Sequence, residues 1–210
     1  KYHSAVEYFR HILLGLDIVD ISTFKRNLLS TVTFCSQLYK LREEMEIVEF
    51  APQRYIQIRK LNQAGIGKED LRGFCEDVAE YVSDGEFFTV FSLQKAGFAH
   101  KLDEYGFDDW FYASVLAENK DMFSYQRTGG SRLFRKGSCT VVLSGFIENI
   151  LDSQEAKSMD VYDLSDYIGT EFGLFVPTSK LIETIRESSM YYDSISQKAY
   201  LDYDIYFSEV

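Results

Sequence analysis

No run of this sequence approaches the roughly 18 consecutive apolar residues that cross a bilayer as a helix, so a membrane-spanning helix is excluded. Cysteine is scarce. Cys35, Cys75 and Cys139 are odd in number and far apart, with no C-x-x-C. That pattern gives neither a disulfide framework nor a zinc site; it reads as buried thiols of a reducing compartment and places the chain in the cytoplasm. Basic charge is short too: 22 Lys and Arg face 33 Asp and Glu, for a formal net charge of −11. Phosphate binding is largely cationic neutralisation, so the chain as a whole is no non-specific nucleic-acid binder. Neither a secretory signal nor an initiator Met opens the sequence, and the stretch from Lys1 is expected to be a piece of a longer protein.

Proline, at 2 residues, is outnumbered by 17 Phe and 15 Tyr. That balance fits small cores filled by rings, because each ring buries a large area per residue. Hydrophobic content of 46% with 26% charged residues is ordinary for a globular chain.

The organising signal is internal repetition. Val19, Val90 and Val161 recur at a constant interval, and FTVFSL (Phe88 to Leu93) matches MDVYDL (Met159 to Leu164) in character except at Thr89 and Asp160. DIVDIS around Val19 is a looser match. Each lies between an amphipathic helix and a second helical run, and each unit ends in a strand pair. Three units follow: 1–61, 62–137 and 138–210. The first is expected to have a helix from His3 to Leu16, a strand at Asp17–Asp20 and a helix capped by Ser22. A turn at Thr31–Thr33, a helix carrying Phe34, Leu38 and Leu41, and a hairpin joined at Pro52-Gln53 complete it. Leu61 to Gly67 reads as a linker.

The second unit is the most legible. After a helix over Glu69–Val82, Phe87–Val90 is a short strand and Ser92 suits a helix N-cap. Leu93, Ala96, Ala99 and Leu102 give the next helix, which Gly106 stops. Asp108 and Asp109 start another, with Trp110, Ala113 and Leu116 facing inward. A hairpin turning at Gly129-Gly130 closes the unit. In the third unit, Thr140–Leu143 reads as a strand, Asp163 as the cap of a helix over Leu164–Phe172, and Pro177 as the start of the next. The closing stretch alternates Leu201, Tyr203, Ile205 and Phe207 against polar residues, a long half-buried strand available for self-association by pairing with another sheet edge.

This order of helix, strand, helix, helix and hairpin resembles the winged-helix form of the helix-turn-helix at the level of architecture. The fold expected is therefore α+β, mainly helical, in three tandem winged-helix-like units. The resemblance implies a binding module that touches duplex DNA through a recognition helix and a hairpin wing.

Charge divides unevenly, at +2, −4 and −9 over the three units. Nucleic-acid contact is thus expected from the first unit and the second wing, and protein contact from the acidic second and third units. The sharpest candidates are Arg127, Arg132, Arg135 and Lys136 around the glycine tip, which could reach phosphates or a minor groove. The bland alternative is a solvated edge hairpin that uses charge to prevent aggregation. In the first unit, Lys25, Arg26, Lys40, Arg42 and Arg54 are compatible with duplex DNA; a mixed solvated face fits equally. The recognition position of the second unit carries Asp108, Asp109 and Glu118 beside a single Lys120, which argues for proteins, since base readout uses Arg, Lys, Asn or Gln. In the third, Lys180 and Arg186 are diluted by Glu183 and Glu187.

His3, Glu7 and His11 share a helix side at metal-ligand spacing but lack a fourth ligand, and i,i+4 pairing explains them. His100 with Asp103 is weaker. Asp160, Asp163 and Asp166 lack the glycine and glutamate of a calcium loop and read as caps. Gly65-Ile66-Gly67 has no phosphate-loop context. No nucleophile sits in a catalytic setting. A non-catalytic module without metal or cofactor, acting in nucleic-acid transactions such as transcription, is expected; the alternative is a protein-interaction scaffold that binds no nucleic acid.

Overall fold

Three times along the chain a short strand ends in a helix cap, and in each case the cap is a small oxygen-bearing side chain. A computed structural model describes residues 2–209. Asp20 accepts from the Ser22 N–H at the end of β1 (Ile18–Asp20). Thr89 accepts from the Ser92 N–H after β4 (Phe87–Phe88), opening α6 (Val90–Lys95). Asp160 accepts from Tyr162 and Asp163 after β7 (Ser158–Asp160), opening α9 (Val161–Phe172). Each oxygen satisfies a backbone donor that the first helical turn leaves unpaired. The residue after each cap, Ile21, Val90 or Val161, is buried.

Each junction is one corner of a small three-stranded antiparallel sheet in which the first strand pairs with the last. The orders are β1-β3-β2, β4-β6-β5 and β7-β9-β8, with β2 (Ile47–Ala51), β3 (Arg54–Gln57), β5 (Phe123–Thr128), β6 (Ser131–Lys136), β8 (Tyr191–Asp193) and β9 (Lys198–Tyr200) forming the hairpins. A left-handed residue precedes the last strand each time: Gln53 at φ 61°, Gly130 at φ 83° and Gln197 at φ 58°. In the first and third modules its carbonyl accepts from the buried aliphatic of the junction, Ile21 N to Gln53 O at 2.9 Å and Val161 N to Gln197 O at 2.9 Å. The chain is thus a repeating α+β architecture of three similar helix-strand modules. Val90 and Val161 are equivalent, while Val19 sits two places early, inside β1; its structural counterpart is Ile21.

The chain compacts into two units that do not follow the repeat: residues up to Ser83 with Ala99–Phe123, and Asp84–Phe98 with the residues from Ser124 onward. In the first unit, α1 (Ala5–Leu14) and α3 (Val32–Glu43) enclose Phe9, Leu13, Phe34 and Leu41 with Val19 and Tyr55 of the sheet. α2 (Arg26–Leu29) is one turn, and Thr31, expected in a turn, caps α3. Residues 61–67, expected as a linker, belong to the packed structure. α4 (Ile58–Gln63) follows the sheet directly, and Leu61 and Ile66 are buried. After α5 (Lys68–Tyr81), the expected long helix to Leu102 stops at Lys95, and a 3-10 turn over Lys101–Tyr105 ends at left-handed Gly106. Asp108 caps α7 (Asp109–Glu118), which packs on β2.

In the second unit, Phe87 and Leu133 share one core with Phe146 and Ile150 of α8 (Leu143–Ser153), Leu164 of α9 and Leu181 of α10 (Thr178–Arg186). Residues 140–142, expected in a strand, are irregular. The cap of α9 is Asp160, three residues before the expected Asp163. The expected long closing strand is absent as well: β9 ends at Tyr200 and α11 (Tyr203–Glu209) follows, with Asp202 accepting from the Ile205 N–H at 2.8 Å. No helix among the described residues is long and apolar enough to cross a membrane.

The Gly129-Gly130 tip is seated. The Phe175 N–H donates to the Gly129 carbonyl at 3.1 Å, and a Cβ on Gly129 would meet the Phe175 nitrogen at 2.7 Å. A Cβ on Gly130 would meet nothing within 4 Å. Gly130→Ala should therefore cost only the left-handed penalty of about 1 kcal/mol, and Gly129→Ala about 3 kcal/mol. Urea denaturation followed by circular dichroism checks the difference, and only Gly129→Ala should speed hydrogen exchange at the Phe175 amide.

Candidate nucleic-acid interface

Nine cations were expected to face nucleic acid; five lie in the first compact unit and four in the second. In the second wing, Arg132 is 3% exposed, with its guanidinium 6.0 Å from the Tyr125 ring centroid. Arg135 donates Nε–H to the Gly85 carbonyl at 2.7 Å and lies 4.8 Å over the Phe87 ring. Lys136 reaches Asp84 at 2.9 Å. Arg127 is exposed. Together with the seated tip, these contacts engage three of the wing's four cations within the fold. The hairpin is an internal packing element whose cations fasten it to β4 and the turn before it.

The recognition position of the second module, read as acidic and suited to proteins, lies on a helix that is mostly buried. Every residue of α7 from Phe111 to Ala117 is buried. WFYASVLA offers no polar side to solvent: Tyr112 is buried, and the Ser114 hydroxyl donates back to the Trp110 carbonyl at 2.8 Å. Phe107 stacks on Phe111 at 3.9 Å, and Phe74 lies 5.0 Å from Tyr112. A helix enclosed on all sides cannot enter a groove.

In the first module, Arg42 forms an ion pair with Glu118. The side chains are 21% and 7% exposed, so both charges are largely removed from water. Burial opposes the Arg42 charge, and the Glu118 carboxylate, with Tyr55 and Glu49 contributing, more than offsets it, holding the guanidinium above its usual range. Arg42 is thus structural. Lys40 pairs with Glu44 one turn on, at 3.7 Å. Arg54 is exposed, lies 4.9 Å over the Phe50 ring and helps hold the Asp20 carboxyl below the usual range, after the larger effect of the Ser22 hydroxyl. Lys25 and Arg26 are exposed at the start of α2.

The other candidates resolve into caps and packing. The His3 N–H donates to Glu7 Oε2 at 2.8 Å, and the His11 ring lies 5.1 Å from Tyr2. His100 Nδ1 accepts from the Leu102 N–H at 3.1 Å, its Nε2 lies 3.3 Å from Asp77, and its ring edge meets Phe74. Asp103 accepts from the His100 N–H at 2.8 Å. Of the three thiols only Cys75 is buried, and burial raises it to about 12; Cys35 is exposed. The Gly67 N–H donates to Asp70 and so closes the start of α5.

Large apolar side chains exposed at module corners escaped notice in the sequence. Val32 opens α3 at 84% exposure, Phe175 stands at 79% in the turn before α10, and Ile195 at 93% tips the last hairpin. Tyr203 and Phe207 are exposed on α11, on the side that a strand reading assigns to the core. The signal available was the D-x-x-I spacing of Asp202 and Ile205, a helix-cap pattern competing with the alternation.

No family model matches the chain, and neither a curated protein nor a solved structure is significantly similar to it.

Removing Arg42 leaves a carboxylate buried without its counter-charge. Arg42→Ala should lose about 3 kcal/mol, while Arg42→Met combined with Glu118→Leu should recover most of it. Denaturation monitored by the fluorescence of Trp110, the single tryptophan, reads both.

Proposed function

We propose that this chain is a non-catalytic binding module of three tandem winged-helix-like units, 1–61, 62–137 and 138–210, with proteins rather than duplex DNA as its principal partners. The observation that supports this most strongly is the use made of the two elements by which a winged helix grips a duplex. In the second module α7 is enclosed, and the wing is fixed through Gly129, Arg132, Arg135 and Lys136. What remains on the surface suits proteins. Isolated large apolar residues stand at the corners, and the chain carries a surplus of carboxylates that repels phosphate.

One observation favours a second reading, duplex DNA held by the first module: Lys25, Arg26 and Arg54 are exposed there, in the only module with a net positive charge. Anisotropy of a labelled duplex at about 50 and about 200 mM salt separates the two. The protein reading expects affinity no tighter than about 10⁻⁴ M at the higher salt, unchanged by Lys25→Ala, Arg26→Ala and Arg54→Ala. Tighter binding that falls steeply with salt and is lost in the triple variant establishes the DNA reading instead.

A further inference from the structure

We infer that the aromatic face formed by the last hairpin and α11 is a docking site for a Lys/Arg-rich segment of a partner protein, an inference that rests on the protein-binding reading above. Five rings meet there. Tyr191 lies 4.5 Å from Tyr206 and 5.1 Å from Tyr203, Tyr200 lies 5.3 Å from Tyr206, and Phe207 stacks on Tyr203 at 6.4 Å. The outer two are bare: Tyr203 is 55% exposed and Phe207 74%. Rings packed edge to face at the base hold the exposed pair in place, which lowers the entropy lost when a partner settles on them.

Charge identifies the occupant. Residues 138–210 carry 4 basic and 13 acidic side chains, and every one of the four cations is already engaged. Lys157 pairs with Asp152 at 2.7 Å, Lys180 with Glu183 at 2.8 Å and Lys198 with Glu209 at 2.6 Å, while Arg186 lies 5.1 Å over the Tyr192 ring. Lys95 adds one pair, with Glu171 at 2.9 Å, and the surplus carboxylates, exposed Asp204 among them, leave the segment with a negative field that attracts cations. The chain also shows the contact itself. Lys198 sits 5.1 Å from the Tyr200 ring centroid while Glu209 accepts its hydrogen bond, so one ammonium is shared between ring and carboxylate. A basic segment crossing Tyr203 and Phe207 beside Asp204 repeats that arrangement, each cation attracted by a ring face and a nearby carboxylate. A second copy of this acidic module would repel.

Calorimetric titration with octa-arginine, and with octa-glutamate as control, tests the inference on the whole chain. Octa-arginine should bind and octa-glutamate should not. Tyr203→Ala with Phe207→Ala should weaken octa-arginine about tenfold, and Phe207→Gln, at a position mostly in solvent, should weaken it severalfold with the circular dichroism unchanged. Asp163→Asn with Asp166→Asn, exposed carboxylates on α9, should change it less than about twofold. Equal losses in the aromatic and α9 variants, no loss in the aromatic variants, or a wild-type dimer that the aromatic variants dissociate would each overturn the inference. If the site fails while the duplex titration stays negative, the protein-binding reading stands without it; if the duplex binds in a salt-dependent way, that reading falls.

Discussion

The hydrogen bond between a buried aliphatic amide and a left-handed hairpin tip sets the geometry of the first and third modules. Where Ile21 donates to Gln53, and Val161 to Gln197, three demands are met at one point. The first strand must stop, a helix must start, and the last strand must begin in register with the first. A cap oxygen on the preceding residue meets the second demand, and the left-handed residue meets the third by turning its carbonyl toward the junction. Burial of the aliphatic side chain adds about 1.5–3 kcal/mol for each. The pairings Asp20 with Arg54 and Asp160 with Lys198 follow directly, since each cap residue faces the first residue after the tip.

The middle module shows what the shared geometry permits. Its tip carries glycine at both positions, and the first lies against the Phe175 backbone at a distance no side chain tolerates. The other two tips have Pro52 and Ser196 at that place, and neither residue would fit so close an approach. The hairpin that looks most like an exposed wing in the sequence is therefore the one built to be covered. Its cations follow the same logic. Arg135 and Lys136 reach the turn before β4, where a carbonyl and a carboxylate wait about fifty residues upstream.

That distance explains which parts of the structure could be read from the chain. Caps and stops are local, so Asp108 and Gly106 announced their helix ends, and the first two hairpins fell where Pro52-Gln53 and Gly129-Gly130 placed them. Errors of two or three residues at Ser22, Ser92 and Asp163 arose where two hydroxyls or carboxylates compete within one turn. At Thr89 and Ser92 both participate, each accepting from the other's backbone. The α7 helix looked one-sided because only Trp110, Ala113 and Leu116 were assigned inward, whereas every residue from Phe111 to Ala117 is buried. The closing segment was ambiguous in principle: LDYDIYF satisfies alternation and helical spacing alike, and the Tyr191 and Tyr200 rings, supplied by the hairpin, decide for the helix. The partners of Arg42, Arg135 and Lys136 are tertiary, and no sequence pattern announces them.

Native-state hydrogen exchange at Ile21 and Val161 tests the shared junction most directly. Both amides should rank among the slowest in their compact units, with exchange free energies near that of global unfolding, and replacing Gln53 or Gln197 with Pro, which cannot adopt a positive φ, should release only the amide bonded to it. Exchange at either position as fast as at the exposed hairpin tips would show that the junctions do not hold the modules together, and the account of one arrangement used three times would be wrong.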